Sequence, residues 1–237
     1  MRTNGNTKLK TGGGLGFTLV ELLVVISIIG VLAGFTIPVL RSVKAVQYKK
    51  VARGELEFIE TALENYKAKF GFYPPSNMNT NAAFFQLLPQ LYYELSGMEA
   101  ATVGGAPGFQ TLDGSTSIKA VDVPSAYGVS GFINCTKGSG DDDIKAKNFL
   151  TGIRQKQVYN LVTNNGVATT VLVTSVGGPD DSYQPLITSG LNPIRYRYPG
   201  IKNPGSYDLW VQLSVNGKNH LICNWTRQVP INDTSVP

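Results

Sequence analysis

The sequence predicts an α+β protein, with one long N-terminal helix whose second half packs on a C-terminal antiparallel β-sheet. Two observations carry this. An almost unbroken apolar run from Phe17 to Leu40 passes into a segment where Ala52, Leu56, Ile59, Leu63, Tyr66 and Phe70 recur at steps of three and four, which places them on one helical face. Further along, Tyr207, Leu209, Val211, Leu213 and Val215 alternate with polar residues up to Asn216-Gly217, and Leu221 to Trp225 supplies a returning strand.

In chain order, residues 1–16 are polar, basic and glycine-rich and read as a leader. Phe17 to Leu40 is about the length needed to span a bilayer as a helix. No strong breaker except Pro38 separates this run from the amphipathic part, so both belong to one helix of about 80 Å. Pro38 removes the backbone bond to Gly34 and places bending or unwinding there. Gly30 and Gly34 form a GxxxG, which either lets membrane helices approach closely or only weakens this one. On the amphipathic half, Glu55, Glu57, Glu60, Glu64, Lys67 and Lys69 fill the positions off the apolar face. Gly71 and Pro74-Pro75 end the helix.

Beyond residue 76 turns and strands dominate. Phe84 to Leu95 is read as a short helix, and 101–147, rich in Gly, Ser and Asp, as extended loops. Val158 to Thr163 and Val167 to Thr174 flank Asn164-Asn165-Gly166, a hairpin signal. The organisation is therefore a leader (1–16), a transmembrane helix (17–40) and an exported globular domain (41–237) that includes the amphipathic half of the helix.

The net charge is +5 over 237 residues, and Arg2, Lys8 and Lys10 of the leader supply three of those charges. The basic balance therefore points to a membrane surface, not to nucleic acid. Cys135 and Cys223 leave two readings: a disulfide, permitted in an exported domain and stabilising by about 4–5 kcal/mol in the chain-entropy model, or two thiols. No CxxC or Cys/His ligand set occurs. The single histidine, His220, gives metalloprotease and Ser-His-Asp chemistry no support, and no phosphate-binding loop is present. The chain is not expected to be an enzyme.

Glu21 is the anomaly. A charge within a membrane run costs about 2.5–3.5 kcal/mol and calls for a partner. A secretory signal peptide would carry no acid in its apolar core and would be cut after it, where Leu32-Ala33-Gly34 is a poor site. The better-defined small residue, Gly16, precedes the run.

Gly16-Phe17-Thr18-Leu19-Val20-Glu21-Leu22-Leu23-Val24-Val25 resembles the prepilin-type cleavage and methylation motif of type IV pilins and type II secretion pseudopilins. The resemblance implies a pilin-like fold and a prepilin peptidase that cuts after Gly16 on the cytoplasmic side. Phe17 would become the N-methylated first residue and Glu21 the fifth, with Pro38 matching the family proline of the assembly helix. Glu21 would then pair with the terminal ammonium of a neighbouring subunit, or with that of its own chain one turn away; either neutralises two costly charges. Positive charge alone leaves orientation open, since Arg41, Lys44, Lys49, Lys50 and Arg53 follow the run.

Asn192-Pro193-Ile194-Arg195-Tyr196-Arg197-Tyr198-Pro199-Gly200, Ser206-Tyr207-Asp208-Leu209-Trp210 and Asn224-Trp225 are similar to the end of the major pseudopilin. Leu63 to Lys67 and Tyr73-Pro74-Pro75 resemble its helix end. The family binds calcium in its C-terminal loop, but Val215 to His220 contains no acid and only Asp208 lies upstream, so no cofactor is expected. Asp141-Asp142-Asp143 and Asp180-Asp181 read as solvated turns or as ion ligands. The resemblance implies a structural subunit of a type II secretion pseudopilus or related filament, anchored in the inner membrane with its domain in the periplasm. Its implied partners are prepilin peptidase, identical or homologous pilin subunits, the inner-membrane assembly platform and the lipid bilayer. The alternatives are a type IV pilin for adhesion, motility or DNA uptake, and a membrane-anchored periplasmic binding module.

Overall fold

The computed structural model describes residues 16–77, 90–137, 145–162, 166–176 and 192–232; within these, the side chains of 35–42 are outside the description. The leader up to residue 15 is outside it too. The chain divides into two compact units, 1–44 and 45–237, each described by itself.

Helix α1, Leu19–Phe70, is a single helix of 52 residues. Its backbone is helical through Pro38, whose side chain lies outside the described residues. Gly71 ends it by taking a φ of +83°, and its N–H donates to the Lys67 carbonyl at 2.7 Å. Lys67 and Lys69 in the last turn complement the helix dipole. In the first unit every described side chain of α1 is exposed, and no atom lies within 4 Å of where a Cβ would sit on Gly30 or Gly34. Among the described residues no helix is long and apolar enough to cross a membrane. The expected span, 17–40, runs on into side chains outside the description.

In the second unit the apolar stripe of α1 is the spine of the core. Ala52, Leu56, Ile59, Leu63 and Tyr66 are buried with Tyr93, Leu95, Leu209, Val211, Leu213 and Ile222 in one cluster, and Phe70 packs half-buried against it. Burying each large aliphatic side chain stabilises the fold by about 1.5–3 kcal/mol. Three polar ties join the same helix to distant segments. The Arg53 guanidinium donates to the carbonyls of Cys223 and Thr226, and the Lys69 ammonium donates to the Lys145 carbonyl. Glu55, expected among the solvated positions, is instead buried, and its carboxylate accepts from the Ser175 N–H and hydroxyl.

The C-terminal sheet has the order β7-β8-β9, from Arg195–Arg197, Asp208–Val215 and Lys218–Cys223, all antiparallel. Asn216 and Gly217 turn β8 into β9 with φ of 55° and 71°, the tight turn expected for Asn-Gly. Asn224 staples the sheet's end: its side-chain oxygen accepts from the Leu209 N–H at 3.0 Å and its amide donates to the Tyr207 carbonyl at 2.9 Å. The tail then returns along β9, with the Leu221 N–H donating to the Pro230 carbonyl. Strands β5 (Val158–Val162) and β6 (Ala168–Leu172) form the second expected hairpin.

The reading of 101–147 as loops is corrected. Strands β1 (Met98–Val103), β2 (Ala106–Thr111), β3 (Ser117–Lys119) and β4 (Cys135–Thr136) form a sheet ordered β3-β2-β1-β4, with β4 parallel to β1. These strands lack the bulky alternation of a half-buried sheet because small residues suit their close packing. A Cβ on Gly108 would lie 2.6 Å from the Ile118 carbonyl oxygen. Helix α2 (Leu91–Ser96) precedes β1 and overlaps the end of the expected helix 84–95, of which 84–89 lie outside the described residues; helix α3 (Asp122–Tyr127) follows β3. Cys135 and Cys223 form no disulfide: both are buried thiols, one in β4 and the other in β9, in separate sheets.

Glu94 of α2 is fully buried and holds this region to α1. Its carboxylate accepts from the Tyr66 hydroxyl at 3.0 Å and from the N–H groups of Ile133 and Asn134 at 2.9 and 3.0 Å. Burial pushes its pKa up, and the three donors only partly offset that. Folded Glu94 thus holds its proton more tightly than it does in the unfolded chain, so this residue's contribution to stability falls as pH rises from the ordinary carboxylate range through the folded value. Glu94→Gln should remove that slope while lowering stability by about 1–3 kcal/mol, because its amide nitrogen would face one of the donors. Melting temperature measured against pH for both proteins checks this; parallel curves would refute it.

Candidate assembly site at the helix start

The first turn of α1 is built around Thr18 and Glu21. The Thr18 N–H and hydroxyl both donate to Glu21 Oε2, at 2.8 and 2.7 Å, and the Glu21 N–H donates back to the Thr18 hydroxyl oxygen at 3.2 Å. The first helical bond runs from the Leu22 N–H to the Thr18 carbonyl at 3.2 Å. This is a reciprocal capping box, in which two orphan donors of the helix start are satisfied by one threonine and one glutamate. Its signal, Thr-x-x-Glu directly before an apolar run, stands in the sequence, but weighing Glu21 as a charge alone passes over it.

The site sits in an apolar collar. Phe17 and Leu19 are 75% and 79% exposed, and the large side chains from Val20 to Leu32 are all exposed as well. The Ser27 hydroxyl, the other polar side chain of this stretch, donates to the Leu23 carbonyl at 2.7 Å. Thr18 and Ser27 are thus satisfied within the chain, and so is one oxygen of Glu21. The other, Oε1, accepts no hydrogen bond from a described residue. Gly16 and Phe17 precede the cap as exposed, non-helical chain, and a side chain on Gly16 would meet nothing within 4 Å. The scissile bond expected from the sequence therefore lies on open backbone, just outside the first helical turn.

The family model described as the prokaryotic N-terminal methylation motif matches residues 15–37. The chain carries a prepilin-type N-terminus. It is also similar to type II secretion system core protein G: 44% identical to the Escherichia coli (strain K12) protein over 62 residues, which are 26% of this chain and 43% of that protein. Against core protein G of Pseudomonas aeruginosa it is 36% identical over 67 residues, 28% of this chain and 47% of that protein. The chain thus spans under half the length of these curated relatives. No solved structure matches it.

The C-terminal loop, where the resemblance would put calcium, does not fit that ion. Both oxygens of Asp208 are engaged by backbone: Oδ2 accepts from Ile201 and Lys202 at 2.6 and 2.8 Å, and Oδ1 from Asn203 at 2.8 Å. The turn from Val215 to His220 carries no carboxylate, and among the described residues no three acidic, histidine or cysteine side chains converge to hold a metal. Asp141 to Asp143 and Asp180-Asp181 lie outside the described residues. His220 is buried in β9, and burial, together with nearby Lys49 and Lys218, holds its imidazole below the usual value and so neutral at pH 7. The tyrosines Tyr196, Tyr198 and Tyr207 pack with Tyr73 as part of the core and its rim.

Removing the cap isolates its contribution. Thr18→Ala loses both the hydroxyl donor and the hydroxyl acceptor and should weaken the helix start by about 1 kcal/mol. Backbone amide exchange at Glu21 and Leu22, measured in detergent micelles, should accelerate about fivefold, and Thr18→Ser should restore the rate. Unchanged exchange in Thr18→Ala would show that the box does not hold the turn.

Proposed function

We propose that the chain is a structural subunit of a type II secretion pseudopilus or a closely related filament, made as a precursor and matured by prepilin peptidase. The observation that carries this is Gly16-Phe17 on exposed backbone immediately before a capped helix whose apolar half bears one carboxylate, Glu21. The peptidase cuts after Gly16 and methylates the Phe17 amine, which stays able to carry charge. Apolar residues 17–40 anchor the subunit in the inner membrane, with residues 41–237 in the periplasm, and the assembly platform moves it into a filament. Its lateral partners are identical or homologous subunits.

Glu21 has two roles in this reading, one for each oxygen. Oε2 belongs to the cap and fixes the carboxylate at the helix start. Oε1 receives the ammonium of a neighbouring subunit, so that neither charge enters hydrocarbon alone. Pro38 provides the point at which the helix adjusts its path. The domain needs no calcium, since Asp208 and Asn224 close the C-terminal loop through the backbone. Nothing in this role requires catalysis by the chain.

Mass spectrometry of the chain co-expressed with a prepilin peptidase should find Phe17 at the amino terminus with one added methyl group. An intact leader, or a cut after the apolar run, would overturn the reading. Glu21→Gln should still be cut, yet give at least tenfold less filament at equal levels of cleaved subunit, because a neighbour's ammonium would then have no counter-charge. Equal filament yields would remove Glu21 from assembly. Separately, millimolar calcium or a chelator should move the melting temperature by less than about 1 °C, against the roughly 2–4 °C that a 1 kcal/mol linkage gives a domain of this size. A larger rise would show a calcium site.

A further inference from the structure

Among the described residues, strand β5 is an edge without the usual protection. It pairs with β6 on one side, with Tyr159 opposite Val171 and Leu161 opposite Thr169. The Val173 N–H donates to the Gln157 carbonyl, which sets the alternation: Gln157, Tyr159 and Leu161 bond inward, and Val158, Asn160 and Val162 direct their backbone groups outward. The Val158 N–H is taken by the Gln155 carbonyl of the preceding turn. Among the described residues, that leaves the Val158 carbonyl and both backbone groups of Asn160 and Val162 on the open edge.

Other edges are managed differently. β9 is covered by the returning tail, through the Leu221–Pro230 bond and the bridge of His220 with Ile231. β3 and β7 are three residues each and carry Lys119, or Arg195 and Arg197. β5 reads Val-Tyr-Asn-Leu-Val, with no charge, proline or glycine, and Val162 is 67% exposed. Such an edge is a template for another strand.

We propose that β5 pairs antiparallel with β5 of a second copy of this chain, about a two-fold axis at Asn160. The edge is self-complementary in this arrangement. Asn160 faces its own counterpart and exchanges two backbone hydrogen bonds with it, while each Val162 N–H reaches the partner strand's Val158 carbonyl. The Val158 N–H is already bonded within its own chain, so each Val162 carbonyl stays on water and the seam holds four backbone hydrogen bonds. No side chain of either strand brings a like charge to the seam. A seam of five residues buries less than the roughly 1,000 Å² of a stable interface, so the pair forms where copies are concentrated. A two-fold pair cannot relate successive subunits of a polar filament. It therefore joins copies that are not neighbours in one filament, and it stands or falls independently of the proposed function.

The test uses the full, uncleaved chain in detergent micelles, so that filament growth plays no part. Asn160→Cys places two sulfurs across the axis, where opposed Cα atoms at about 5.5 Å suit a disulfide. Mild oxidation should yield at least ten times more covalent dimer for Asn160→Cys than for Val121→Cys, which samples an equally open position elsewhere. Adding Val162→Lys to Asn160→Cys should cut that yield at least tenfold. Independently of any introduced cysteine, sedimentation at rising concentration should show the wild-type chain becoming dimeric and Val162→Lys remaining monomeric. Equal crosslinking at positions 160 and 121, or identical sedimentation of the two proteins, would overturn the proposal.

Discussion

Burial of one stripe of α1 is the constraint from which the second unit is built. Ala52, Leu56, Ile59, Leu63 and Tyr66 leave no room for water, so every segment that covers them must bring apolar side chains and satisfy its own backbone. The three-stranded C-terminal sheet does this with Leu209, Val211, Leu213 and Ile222. The α2 region does it with Tyr93 and Leu95, and uses Glu94 to satisfy the loop that would otherwise bury bare N–H groups at Ile133 and Asn134. Without the stripe these segments would have no common surface to share.

Three glutamates of one chain illustrate how environment, not residue type, sets a carboxylate's part. Glu94 is buried and held by three donors. Glu55 is buried on the helix flank and fastened to Ser175. Glu21 lies on an exposed apolar surface with half its hydrogen-bonding capacity committed to Thr18. Only the last keeps an oxygen open toward whatever lies beyond the chain.

Features with strong local periodicity were legible in the sequence. The helix was, because a stripe at steps of three and four has no other compact explanation, and so were the hairpins closed at Asn216-Gly217 and at Gly166, because these residues take positive φ. The sheet of β1 to β4 was not, because Ala100, Ala101, Ala106 and Gly108 lack the bulk that marks strands, although Gly104-Gly105 with φ of 57° and 83° is itself a turn signal. The burial of Glu55 could not be read either, since its partner Ser175 lies 120 residues away. At the helix start, Gly16, Phe17 and Glu21 stood out by their chemistry. Thr18 did not, because its importance is relational and depends on the residue three positions on.

The polar ties of α1 bear on how the folded chain would carry load along its long helix. Arg53, Glu55 and Lys69 grip three different stretches of chain: the tail at Cys223 and Thr226, the segment at Ser175, and the segment at Lys145. Arg53 and Glu55 do so about 3 Å apart along the rod, and Lys69 does so about 21 Å further on. Tension applied along the helix axis therefore loads these anchors in shear, not as a single end-on peel. A rod fastened in this way can be drawn lengthwise without first stripping the sheet from its side.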